Sequence, residues 1–301
     1  MLAIVNQSVN LTPPITPTLT QQFNKLRNKR LFTDNLFVFL VQYIGLKLSV
    51  FSLSPSPLWL ATGSACTYLF LRGYGVLPGV WLGSLFGFYF EGIGLNLALK
   101  CASVLSLQGL LLIWFSHRYL SPTLIFNSQR RFLQFIIYTA LLTAAISLTF
   151  MEICYSVLPH TKPPLQYAVQ WWLANFNAIM IFSCALLTWD AYFPDVYTIK
   201  QWKNIITLFS ILLLLIIALI FSHTPVSTTC FALSIILITA FISARWGWCG
   251  AIAAVFLSGM LLCFAGFLDA PIFSTYSATV SLLLVQLFLC VNTIVALSLS
   301  F

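Results

Sequence analysis

The sequence predicts an all-α fold: a polytopic transmembrane helix bundle of roughly eight to ten helices, with both termini in the cytoplasm. Three observations lead there. Sixty per cent of the 301 residues are hydrophobic and only 7% are charged. With a mean hydropathy of +0.97, a soluble domain of this composition would expose a mostly apolar surface. The apolar residues fall into about ten runs at or near bilayer-crossing length. Finally, eleven of the fourteen Lys and Arg lie in the N-terminal tail or in alternate connecting loops, the bias that marks cytoplasmic loops. That bias accounts for the net charge of +8, so nucleic acid is not a predicted partner and the lipid bilayer is.

Residues 1–34 read as a polar and basic cytoplasmic tail. Residues 1–24 are rich in Asn, Gln, Thr and Pro and lack the basic start and apolar core of a signal peptide. They are expected to be disordered, ending in the basic cluster Lys25, Arg27, Lys29 and Arg30. Spans are predicted near 35–53, 58–71, 75–92, 94–116 and 132–157, then near 166–188, 204–222, 226–244, 248–267 and 275–301. The second and third are short, and merging or dropping a pair gives eight. An even count keeps both ends on one side. The inner loops then carry Arg72, Arg118, Arg130, Arg131, Lys200, Lys203 and Arg245, whereas the outer loops carry only Lys162 among basic residues. Trp59, Trp171 and Trp172 are expected near the outer surface; Trp114, Trp189, Trp202, Trp246 and Trp248 near the inner one. The sequence closes at Phe301, where the last span is expected to emerge into the cytoplasm, so an output portion is expected elsewhere unless the protein is membrane-only. The eight cysteines include no CxxC pair and no zinc-ligand spacing, and are read as small packing residues. No metal or cofactor is predicted.

The most informative stretch is Pro57 to Gly87, PLWLATGSACTYLFLRGYGVLPGVWLGSLFG. It reads as a Pro-Trp start, a short span, a tight Arg72-Gly73 turn, and a Pro78-Gly79 opening of the next helix. Gly79, Gly83 and Gly87 repeat every fourth residue, leaving a groove that another helix backbone can approach closely. Glu91 continues the same stripe one turn on. Arg245-Trp246-Gly247 forms a second inner turn before a small-residue-rich helix; its echo of Arg72-Gly73 is taken as coincidence.

This stretch resembles the start of the MASE1 family of bacterial membrane-associated sensor domains. Pro57, Trp59, Ala61, Thr62, Gly63, Arg72, Gly73, Pro78, Gly79 and Gly83 match the family pattern, and Leu60 replaces a usual proline. Trp171-Trp172-Leu173, Arg245-Trp246-Gly247 with Gly250-Ala251, and Gln286-Leu287-Phe288 follow in the expected order, so the resemblance covers about 35–301. There are departures. A family Asn falls at Phe88, a family Asn and Glu fall at Leu105 and Gln108, and the Asp of a W-L-G-D segment falls at Asn175. The resemblance implies a sensory bundle preceding a cytoplasmic output such as a diguanylate cyclase, a cyclic-di-GMP phosphodiesterase or a histidine kinase, in the bacterial inner membrane. A second copy of the chain is a further candidate partner.

Lys47, Glu91, Lys100 and Glu152 fall in the outer parts of their spans. Intramembrane charges cost about 2.5–3.5 kcal/mol each at the midplane, so two cations and two anions at one depth could pair in an outward-facing vestibule. The plainer reading has each Lys snorkelling and each Glu at a helix end. Gln170, Trp172 and Asn175 are placed at that vestibule's mouth and wall, against the plainer reading of buried amides as interhelical glue. His160 and His223 lie in different outer loops and read as solvated. The sequence contains no GxSxG elbow, HExxH, phosphate loop or GGDEF signature, so no catalytic residue is expected. A sensor is therefore the leading expectation. A small-solute transporter and a degenerate scaffold that lost its ligand are the alternatives.

Overall fold

A computed structural model describes residues 17–50, 58–120, 128–157, 165–192, 199–267 and 277–301. These form nine α-helices: α1 (Pro17–Val50), α2 (Leu60–Arg72), α3 (Leu77–Phe90), α4 (Leu95–Phe115), α5 (Gln129–Val157), α6 (Leu165–Tyr192), α7 (Ile199–Ile220), α8 (Pro225–Phe267) and α9 (Ala278–Ser298). No strand occurs among the described residues. Six stretches there are long and apolar enough to cross a membrane. The chain is thus an all-α, multi-pass membrane protein, and each of the ten predicted spans has a helical counterpart, because α8 is broken at Gly247 (φ 57°, ψ −142°).

The tail differs from expectation. Helix α1 starts at Pro17, so residues 17–24 are helical; residues 1–16 lie outside the described residues. Proline is pre-set for a first helical position. The Leu, Gln, Lys and Arg that follow are good helix formers with no breaker among them. At 1.5 Å per residue α1 is about 51 Å long, well beyond a hydrocarbon core of about 30 Å.

Two helix pairs turn back on themselves. Helix α2 runs antiparallel to α1, placing Ser64 against Gln42 and Arg72 against Asp34. A 3-10 turn at Gly73–Val76 reverses the chain, and α3 then runs parallel to α1, with Gly79 against Asn35 and Gly87 against Leu46. In α8, a Cβ placed on Gly250 would lie 2.8 Å from the Ile242 carbonyl. Eight residues of straight helix would separate those positions by about 12 Å, so α8 is a hairpin with its apex at Gly247.

Helix α2, with 13 residues, spans about 20 Å and is too short to cross the core alone. It starts inside the protein. Leu58 and Trp59 are buried, and the Trp59 N–H donates to the Ala174 carbonyl of α6 at 3.2 Å. Non-helical backbone at membrane depth is tolerated when protein, not lipid, satisfies it. Trp59 is therefore packed against protein, as a core residue of the bundle. Helix α6 is the hub of the bundle, packing on α2, α5, α8 and α9, and every residue from Leu173 to Ile181 is buried.

Candidate functional site

The seam between α1 and α3 is built from glycines on one side and amides on the other. A Cβ at Gly83 would sit 2.6 Å from the Phe39 carbonyl, and one at Gly87 would sit 2.6 Å from Leu46 Cδ1; at Gly79 it would strike the Asn35 carbonyl. This close approach lets side chains of α1 reach the backbone of its neighbours. Asn35 Nδ2 donates to the Leu31 carbonyl (2.9 Å) and to the Gly75 carbonyl (2.8 Å), and Asn35 Oδ1 accepts the Gly79 N–H at 2.7 Å. Two turns further on, Gln42 Nε2 donates to Ser84 Oγ (3.1 Å) and Gln42 Oε1 accepts from Ser64 Oγ (3.0 Å). Ser84 passes the chain on to the Val80 carbonyl. All three side chains of this bridge are buried, so hydrogen bonds join α1 to α3 at two levels and to α2 at the second.

An ion pair closes each end of the seam. Arg72 Nε lies 3.5 Å from Asp34 Oδ2 at one end, and Lys47 Nζ lies 2.5 Å from Glu91 Oε1 at the other. Lys47 also donates to the Phe90 carbonyl at 3.2 Å. The turns flanking the seam use the signature residues. Gly73 adopts φ 71°, a conformation that L side chains rarely adopt. Pro78 stands in the first turn of α3, where a missing N–H costs nothing.

The other expected vestibule residues are distributed differently. Lys100 and Glu152 are exposed on α4 and α5 and form no ion pair among the described residues. Gln170 is buried. Trp172 Nε1 donates to the Ala140 carbonyl of α5 at 2.9 Å. Asn175 is buried, accepts from Thr62 Oγ1 at 2.6 Å and donates to the Trp171 carbonyl at 2.8 Å. The structure thus brings Lys47 and Glu91 together, and separately Thr62 and Asn175, but not the four charges as one group. His223 is exposed; His160 lies outside the described residues.

Behind the Lys47–Glu91 pair the core is aromatic. Trp59 lies on Trp171 with ring centroids 4.3 Å apart, Trp171 on Phe150 at 4.4 Å, and Phe150 on Phe88 at 6.1 Å. Leu46, Val104 and Leu105 belong to the same cluster. Phe88 and Leu105 are two of the positions at which the sequence departs from the pattern it resembles. Asn175, a third, follows Ala174 of the same cluster, and Gln108, the fourth, lies one turn from Leu105 on α4. Gln108 is fully buried, and neither atom of its amide finds a partner among the described residues. Two of these positions, Phe88 on α3 and Leu105 on α4, therefore meet in one apolar cluster, while Asn175 bonds to Thr62 on α2.

The opposite end of the bundle carries a second device. Gly247 forms the α8 apex, and a Cβ there would lie 3.7 Å from the Ser300 carbonyl. The Trp248 ring meets Phe301 edge-on at 4.8 Å and Phe132 at 5.3 Å, and Phe132 also meets Phe301 at 5.5 Å. Helix α5, the hairpin apex and the segment after α9 are thus held by three rings. Arg245 is exposed beside them. Both glycine turns, Gly73 and Gly247, have positive φ with ψ of −165° and −142°. Their similarity serves one need, reversing a helix in the fewest residues.

Asp34, Asn35 and Gln42 were not singled out from the sequence. Their signal was present: Asn35 and Gln42, seven residues apart, share one face of the apolar second half of α1. The MASE1 family model matches residues 35–301. No curated protein and no solved structure matches the chain.

Proposed function

Because the chain belongs to the MASE1 family of membrane-associated sensor domains, we propose that it is the input module of a bacterial inner-membrane signalling system. The end bearing Arg72, Arg245 and Phe301 faces the cytoplasm, and the end bearing Lys47, Glu91 and His223 faces outward. The observation that carries this reading is the family match across nearly the whole bundle. The distribution of basic residues supports the orientation.

The output is a cytoplasmic kinase or an enzyme of cyclic-di-GMP turnover, reached through α9 and the three rings that hold Phe301. A stimulus shifts the balance between two packings of the bundle only as far as it binds one of them better; about 1.4 kcal/mol of difference changes the ratio tenfold. The outward end offers the Lys47–Glu91 pair at its rim and Gln170, Trp172 and Asn175 deeper in.

A second reading, a scaffold that has lost a polar ligand, is favoured by the ring stack at Phe88 and Leu105. The test is co-purification from bacterial membranes after in-cell cross-linking. A kinase or cyclase retained by the intact chain and lost on Phe301→Ala supports signalling. Solute flux in proteoliposomes, or a tag after Phe301 that faces the exterior, would overturn it.

A further inference from the structure

Among the described residues, Asp34 and Glu91 each have a cation beside them, whereas neither Glu152 nor Lys100 has an ionic partner. Both unpaired charges are turned out of the bundle. On α4, Lys100, Ser103 and Leu107 are exposed, and on α5 Leu141, Ala145 and Glu152 are; each set has the spacing of one helix face. Both charges stand within stretches long and apolar enough to cross a membrane.

The two charges also share a level. Helices α4 and α5 pack against each other, and Tyr138 Oη donates to the Leu111 carbonyl at 3.1 Å. Farther on, Leu105 and Ile146 belong to one apolar cluster, so the two helices run antiparallel. From the Tyr138–Leu111 bond, Lys100 lies back along α4 by about 16 Å and Glu152 lies forward along α5 by about 21 Å. The difference of about 5 Å is within reach of a lysine's four-carbon stem.

We infer that this face of α4 and α5 joins a second copy of the chain, Lys100 of each copy pairing with Glu152 of the partner subunit.

Symmetry selects the occupant. Two copies embedded in the same orientation are related by a two-fold axis along the bundle, which leaves every residue at its own level. Such an axis brings Lys100 to Glu152 of the partner subunit only if the two stand at one level on one face, as they do here. One cation and one anion flanking the α4–α5 seam are then their own complement, and a single operation makes two ion pairs. A foreign helix pair would have to present the same charges in reverse. Lipid tails offer no counter-charge, and ionisable groups within spans pair with one another. Helices in a membrane associate through close packing and polar contacts; the small residues Ser103 and Ala145, one to two turns from the charges, leave room for both.

Such a dimer requires only a multi-pass bundle, so it stands or falls apart from the sensory reading. The test is Förster transfer between donor- and acceptor-labelled copies of the full chain, co-reconstituted in phosphatidylcholine vesicles over a range of protein-to-lipid ratios. The wild type should associate. Lys100→Glu and Glu152→Lys should each raise the dissociation constant about tenfold, because like charges then face each other. Mixed together, the two variants should return to within about twofold of the wild type, since each offers the charge the other needs. Ala145→Trp, at an exposed position, should also weaken association about tenfold, and it keeps the test alive if a charge reversal misfolds. A monomeric wild type, or an Ala145→Trp variant that associates as the wild type does, would overturn the dimer. So would charge-reversed variants that associate normally, or a mixture no better than its components; these are the results expected if each charge meets only a lipid headgroup.

Discussion

Asn35 Oδ1 accepts the backbone N–H of Gly79 at 2.7 Å, so helix α1 supplies the N-terminal cap that α3 lacks in its own sequence. The residue before α3 is Val76, which has no side-chain acceptor to offer. The first N–H groups of any helix have no partner within it, and here one of them is satisfied by a side chain of the neighbouring helix. The glycine at position 79 makes the cap reachable, because any side chain there would hold α1 away.

Asn35→Ala should destabilise the protein by about 1–3 kcal/mol, since it strips the Gly79 N–H and the Gly75 carbonyl of their partners at once. Asn35→Asp keeps the acceptor for Gly79 and loses both donations, so it should fall between Asn35→Ala and the wild type. Thermal unfolding of the purified protein in one detergent ranks the three. Equal midpoints for Asn35→Ala and wild type would rule out the cap.

Gly83→Ala should cost about 1–3 kcal/mol, because the new methyl meets the Phe39 carbonyl and Gln42 Cβ, neither of which can swing aside. Gly94→Ala should cost less, about 0.5–1 kcal/mol: nothing lies within 4 Å of a Cβ there, and the loss is only that of alanine against glycine at the N-cap of α4. The difference between the two in the same unfolding assay isolates packing from the general cost of adding a methyl.

Gly247→Ala should cost about 1–3 kcal/mol through backbone strain, because its φ of 57° with ψ of −142° is a region reserved for glycine. The ordinary contact distance of 3.7 Å to the Ser300 carbonyl does not relieve this. Hydrogen exchange should then rise first around 243–250 and 297–301, where the apex and the three rings meet. A uniform rise across all helices would instead mean that the apex is not a separately destabilised unit.

Phe88→Asn should cost about 3–5 kcal/mol from the lost ring and its cavity, and should open the stack to water. Acrylamide should then quench tryptophan emission more strongly, since Trp171 lies one ring away from Phe150. An unchanged quenching constant with a folded variant would show that the cluster stays dry without Phe88.

Glu91→Gln removes the partner of Lys47 at a partly exposed site (22% and 31% for the two side chains). Pairs so open to solvent contribute about 0–1 kcal/mol. The expected outcome is a small shift in unfolding midpoint that high salt abolishes in the wild type as well.

Much of this architecture was legible because hydropathy and basic-residue bias act on whole segments. The spans at 132–157 and 248–267 needed only apolar length and flanking Arg to be found. The glycines at 79, 83 and 87 announced a close helix approach by their spacing alone. What could not be read was which helix lies opposite. Asn35 and Gln42 look like isolated polar residues until α3 is laid beside them. Trp59, after Pro57 at the start of a short span, does not show in sequence whether it faces lipid or protein; burying it required knowing that α6 offers the Ala174 carbonyl to the start of α2. Likewise, Lys47 and Lys100 are alike in hydropathy, and only the path of the chain gives one a carboxylate and the other an exposed position.

The apex at Gly247 joins two long helical arms with no connecting segment to spare. A joint of that kind transmits torque: neither arm can slide lengthwise without dragging the other, so any rearrangement there must be a tilt of the pair as one lever. Lengthening the joint with a short flexible insert would therefore uncouple the two arms while leaving each one folded, a change that point substitutions in either arm cannot mimic.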